Sequence, residues 1–151
     1  MTILALDLGS TTGWALLTGD TVHSGISVFK NGRFEGGGMR FLRFRRWLVD
    51  VRASAVGEEI GAVYFEEVRR HMGVDAAHIY GGMLAILTLW CELHSIPYSG
   101  VPVGTIKKHV TGKGNASKEE MIAWAKGKGW APGDDNEADA LAILDWGRAQ
   151  G

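Results

Sequence analysis

Three carboxylates occupy positions where the sequence otherwise asks for apolar side chains. Asp7 interrupts "ILALDLG", Glu66 closes "IGAVYFEE" together with Glu67, and Asp139 falls inside "ADALAIL". A carboxylate in apolar surroundings costs several kcal/mol unless something cationic meets it. Neither Asp7 nor Asp139 has a Lys or Arg beside it in the sequence. Taken singly, Asp7 could cap the following turn and Glu66 could lie exposed at a strand end. Three such interruptions in three distant segments point instead to one shared site. Converging carboxylates raise one another's pKa, and a divalent cation removes that penalty. An all-oxygen donor set selects Mg²⁺ or Mn²⁺. The histidines are scattered and Cys91 is alone, so nothing suggests zinc. Two ions about 4 Å apart over carboxylates suit phosphodiester hydrolysis, one activating water and the other stabilising the leaving 3′-oxygen.

Around these residues lie further candidates. One helical turn before Asp139 are Asn136 and Asp135, both on its helix face. Asp134 and Glu137 have the spacing of a helix N-cap and its reciprocal partner three residues on. Arg69 and Arg70 follow the Glu66–Glu67 pair, and Lys107, Lys108, Lys113 and Lys118 cluster in "KKHVTGKGNASK". These six cations are candidate phosphate contacts, and Gly112 and Gly114 would let the backbone approach a nucleic-acid strand.

The elements that must position them follow from periodicity. "TILALDL", "GWALLTG" and "TVHSGISVFK" read as strands, with Gly19-Asp20 as a hairpin turn between the second and third. After the glycine-rich "GRFEGGGMR", a helix from Met39 to Ala55 sets Phe41, Phe44, Leu48 and Val51 on one side. Arg40, Arg43, Arg46 and Arg52 lie largely on the other. "IGAVYFEE" is a fourth strand and "PYSGVPV" a fifth. Between them a long helix from about Asp75 to Ser95 is apolar nearly all round, offering Ile79, Met83, Ile86, Leu87 and Trp90. Such a helix needs two partner surfaces: one side covers the sheet, and the other is a candidate symmetric dimer face. Helices over "TIKKHVTG", "SKEEMIAWAKGKG" and Asp135 to Ala149 complete the chain, the second opening on a capping box, Ser117 with Glu120.

A chain of 151 residues suits one domain. The formal net charge of −1 points to no partner by itself, although opposite faces can cancel. One cysteine in an apolar run implies a buried, inert thiol and a reducing compartment. The run "MLAILTLWC" is too short to cross a bilayer, and no signal peptide precedes the first strand. The expectation is a cytoplasmic, single-domain α/β protein without a membrane partner.

The segments "ALDLGSTTGWA", "YFEEV", "TIKKHVTGKGNASKEEM" and "DDNEADALAIL" resemble, in order and spacing, the RuvC-type Holliday junction resolvases of the RNase H-like, retroviral-integrase superfamily. The resemblance covers Ile3 to about Trp146, and the short chain looks like a bacteriophage version. It implies a five-stranded mixed sheet flanked by helices, and a homodimer that nicks opposed strands of four-way DNA junctions. It also implies Mg²⁺, with Mn²⁺ substituting, as two ions per site. By position, Asp7, Glu66 and Asp139 become metal ligands and catalytic groups, with Glu67 the nearest competitor to Glu66. Lys107 and Lys118 match lysines near the scissile strand, and the glycines and threonines after Asp7 leave room for DNA. The family has Asp or His where this chain has Asn136. Asn136 can ligate through its carbonyl oxygen, or Asp135 can take over by a small helix rotation. Where members often carry a junction-wedging aromatic, this chain has Arg69. Two other readings stay in view: an RNase H-like RNA-processing nuclease, and a nucleic-acid-binding module that has lost catalysis.

Overall fold

The computed structural model describes residues 1–55, 57–71 and 73–151. Its element order is β1 (Thr2–Asp7), β2 (Thr11–Thr18), β3 (Thr21–Val28), α1 (Met39–Ser54), β4 (Ile60–Glu67), α2 (Val74–Leu93), β5 (Tyr98–Pro102), α3 (Val103–Thr111), α4 (Lys118–Gly127) and α5 (Asp135–Gln150). The strands form one sheet in the order β3-β2-β1-β4-β5. The first three pair antiparallel through two hairpins, whereas β4 and β5 join parallel to β1, making the sheet mixed. Gly19 takes φ +61° in the turn between β2 and β3, a conformation open to glycine at little cost.

Strand alternation divides the core in two. Leu4, Leu6, Leu8, Val63 and Phe65 face α1 and α2, where they meet Phe44, Leu48, Met83, Leu87 and Trp90. Ile3 and Ala5, with Tyr64 at the margin, face the other way, onto α5 and the small helices α3 and α4. The expected inward face of α1 is buried at Phe44, Leu48 and Val51. Phe41 sits at its edge against Gly82, where a Cβ would stand 2.6 Å from the ring. The Ser117–Glu120 capping box of α4 is present in both directions. The one proposed for α5 is half present. Asp134 accepts from the Glu137 N–H at 2.9 Å, but the Glu137 carboxylate turns to the Gly133 N–H and the Ser24 hydroxyl. That arrangement ties the start of α5 to β3 rather than closing the cap on itself. Cys91 is buried, and burial pushes its thiol up to about 12, well into the inert range.

Helix α2 departs from the sequence reading in one respect. At 20 residues, with a mean hydropathy of 1.3 over an 18-residue window, it is long and apolar enough to cross a membrane by length and composition. Its Tyr80, Met83, Leu87, Trp90 and Cys91 are buried, as in the core helix of a folded domain. The side turned away carries Val74, His78, Gly81, Ala85, Leu89 and Leu93, all exposed and spaced three or four residues apart. Of the residues offered for a dimer face, Met83, Leu87 and Trp90 therefore point inward, and Ile79 and Ile86 lie on the flanks.

Candidate active site

Alternation and register together bring the first two carboxylates side by side. Asp7 continues the parity of Ile3 and Ala5, and Glu66 that of Tyr64, so both face α5. β1 and β4 are parallel, with Leu6 opposite Phe65, which sets Asp7 and Glu66 next along the same ladder. Glu67 has the opposite parity, and its carboxylate accepts from Arg69 Nε at 3.1 Å. The alternation thus separates Glu66 from its competitor. From the facing helix, Asp139 completes the group, and the charges of Glu66 and Asp139 both bear on Asp7.

A cavity of about 150 Å³ opens here, lined by Glu66, Asp135, Asp139, Lys107 and Lys118, with Val103, Ile106, Ala116 and Met121 as its apolar wall. That is smaller than a typical small-molecule pocket of about 300–1,000 Å³. A wider cavity of about 440 Å³, between α1 and the outer strands, is lined by Trp14, Trp47 and His23 among others and holds none of the site residues. Burial, then the charges of Glu66 and Asp139, raises the Asp7 pKa well above the usual carboxylate range. Burial is likewise the main reason that Asp139 rises to about 7. Glu66 and Asp135 add to it, while the hydrogen bond from Asp7 and the charge of Lys107 oppose it. Asp135 is tied to Lys118, whose Nζ stands 3.7 Å from its Oδ2.

Asn136 stands apart. Its amide donates to Asp134 Oδ2 at 3.2 Å, and it is not among the cavity's lining residues. The next turn toward Asp139 is presented by Asp135 instead. Among the described residues no three His, Cys, Asp or Glu side chains close into a metal cage. The donor set nevertheless fits a hard cation: oxygen ligands only, with burial and then the charges of Glu66 and Asp139 raising Asp7, beside a small opening. Lys108 and Lys113 are exposed outside the cavity, and Arg69 and Arg70 are exposed just beyond β4.

No protein-family model and no curated protein sequence matches the chain. Solved structures do. The Thermus thermophilus RuvC in complex with a Holliday junction substrate superposes with a TM-score of 0.80 at 23% identity, over 99% of this chain and 96% of that one. A second Thermus thermophilus RuvC structure gives 0.74 at 22%, over 99% and 97%. The chain has the RuvC fold. A more distant match, the yeast mitochondrial Holliday junction resolvase Ydc2, gives 0.60 at 10% identity, over 93% of this chain and 75% of that one.

Within this RuvC fold, two residues support the site in ways the sequence did not reveal, one of them having been given another role there. Tyr80 donates its hydroxyl to the Glu66 carbonyl at 2.7 Å and accepts from the Val68 N–H at 3.2 Å, pinning the end of β4. A tyrosine on the buried side of an apolar helix needs a polar partner, and that was the available signal. Gly13 is the other. A Cβ there would stand 1.9 Å from the Asn136 carbonyl oxygen, so β2 and the first turn of α5 touch backbone to backbone. The space at Gly13 is taken by α5 and not by a DNA strand. Gly112 is likewise a helix terminus, at φ +80°, with its N–H on the Lys108 carbonyl at 2.8 Å.

Proposed function

We propose that this chain is a divalent-metal-dependent, structure-selective endonuclease that resolves four-way DNA junctions, as a homodimer nicking opposed strands. The observation that carries the reading is the meeting of Asp7, Glu66 and Asp139 from β1, β4 and α5, with Glu66 and Asp139 lining one small opening flanked by Lys107 and Lys118. The RuvC fold supports it, since both Thermus thermophilus matches span nearly the whole chain. Asp7, Glu66, Asp139 and Asp135 are the residues that would hold Mg²⁺ or Mn²⁺, which when bound would supply an activated water and stabilise the leaving 3′-oxygen. Lys107 and Lys118 place positive charge where a backbone phosphate would enter. Asp139, with its raised pKa, is suited to take a proton at its carboxylate near neutral pH. The exposed apolar stripe of α2 supports the dimer, and two sites related by a two-fold axis match the two opposed strands of a junction.

The deciding experiment is a strand-by-strand cleavage map on a synthetic four-way junction with Mg²⁺ and with Mn²⁺, beside matched duplex DNA and structured RNA. Symmetric nicks on opposed strands are expected, together with loss of cleavage but retention of junction binding in Asp7→Asn. Cleavage confined to RNA would replace this reading with an RNA-processing one. Binding without cleavage of any substrate would mark a module that has lost catalysis.

A further inference from the structure

Between β3 and α1 the chain runs through residues 29–38, a segment with no part in the carboxylate site. It is a built loop. Asn31 donates to the Gly37 carbonyl at 3.3 Å and accepts from the Arg40 N–H at 2.8 Å. Arg40 Nε reaches the Phe29 carbonyl at 2.7 Å. The Glu35 carboxylate takes the Gly32 N–H and both arms of the Arg43 guanidinium, which holds its pKa down at about 2. At the tip of this frame Phe34 is 93% exposed, with the Arg33 guanidinium 5.4 Å from the centre of its ring.

Leaving a phenylalanine in water forgoes the gain from burying its ring. A frame that holds one there while the rest of the loop is braced presents the ring outward. Its surroundings are strongly basic: from Lys30 to Arg46 there are six Lys or Arg and one acid, Glu35, which Arg43 already neutralises. The location is also specific. The Phe29 N–H donates to the Ser10 carbonyl at 2.7 Å, and Val28 pairs with Thr11, so the loop leaves the sheet from the end that carries Asp7.

A ring flanked by a guanidinium on a cationic surface is complementary to a nucleobase face close to phosphates. Bases inside a duplex are already stacked, so such a pair selects unpaired ones. We infer that Phe34, with Arg33 at its side, is a stacking platform for unpaired nucleobases of the bound DNA beside the carboxylate site. The inference takes its ligand from the nuclease reading above and adds the contact that would favour branched or opened DNA over duplex.

Wild type, Phe34→Ala and Phe34→Trp can be compared without turnover, in Ca²⁺. The probes are a single-stranded oligonucleotide, a paired duplex, and a four-way junction with 2-aminopurine at the branch. Stacking worth roughly 1–3 kcal/mol per base predicts a loss of about 5- to 150-fold for Phe34→Ala on the single strand and the junction. Duplex binding should be unchanged, and Phe34→Trp should restore both binding and the 2-aminopurine response. Since Phe34 is exposed, the variants should fold as wild type. Equal binding by wild type and Phe34→Ala to the single strand and the junction overturns the platform. Wild-type protein that shows the Phe34-dependent response but leaves every junction uncut in Mg²⁺ overturns the nuclease reading instead, so the two failures are separable.

Discussion

At the scale of single residues, the carboxylate group is held in a state that folding alone disfavours. Asp139 goes from an ordinary 3.8 to about 7 in the folded chain, chiefly through burial. A raised acid favours the fold where it is protonated, below its unfolded pKa, and that contribution drains away as pH rises through the folded value. Metal-free protein in EDTA should therefore lose about 1–3 kcal/mol between pH 5 and pH 8, read as a falling melting temperature. Asp139→Asn should reduce that slope to the part that buried Asp7 carries, and Mg²⁺ should restore stability at pH 8 in wild type only. A wild-type slope that persists in Asp139→Asn would mean that the burden lies elsewhere. The same scale separates two neighbours that the sequence left open. Asp135 lines the cavity and biases Asp139, whereas the Asn136 amide is engaged with Asp134. Asp135→Asn should lower the cleavage rate roughly 10- to 100-fold, and Asn136→Ala should stay within about twofold of wild type. The opposite ranking in single-turnover assays would reverse the assignment.

At the scale of elements, what the sequence revealed and what it hid have different physical causes. Strands and helices were legible because burial imposes period two or period 3.6, and "IGAVYFEE" runs over the residues that β4 occupies. The interruption of those periods at Asp7, Glu66 and Asp139 was equally visible, since a polar residue in an apolar run is a local signal. The contacts between elements were not. Whether Asp135 or Asn136 turns inward depends on the azimuth of α5, and that is fixed at a distance, by Gly13 under its first turn and by Ser24 on Glu137. A glycine in a strand announces only that something comes close. Gly13→Ala tests how tightly this azimuth is held. Its Cβ would meet carbonyl and amide atoms of Asn136 and Glu137, which cannot rotate away, so α5 must retreat. Such overpacking costs about 1–3 kcal/mol, and a shift of about 1 Å at Asp139 would cost on the order of 100-fold in rate. Gly9→Ala, whose added Cβ would approach the Thr11 carbonyl only to 3.5 Å, is the matched control. Comparable losses in both variants, by melting temperature and single-turnover rate, would show that the α5 contact is not the cause.

At the scale of the whole molecule, the unresolved demand is the outer side of α2. Its inward residues complete the core, yet Leu89 is 59% and Leu93 62% exposed, and α1 adds Leu42 and Val49 with exposures of 42% and 45%. Small residues at Gly81 and Ala85 lie along the same stripe, where a second helix can come close. A second copy of α2 meets the geometric requirement of a two-fold interface, the same patch on both subunits. Wild-type protein at micromolar concentration should sediment as a dimer. Leu89→Glu and Leu93→Glu remove no buried contact within the chain, so each subunit should keep its melting behaviour to within about 1 kcal/mol while the sedimenting species halves. Because each site is assembled from a single chain, the monomer should still nick. It should release singly nicked junctions in place of the paired products expected of the dimer. A dimer that survives both substitutions would place the interface on another face, and a wild-type monomer that makes paired nicks would separate resolution from dimerisation altogether.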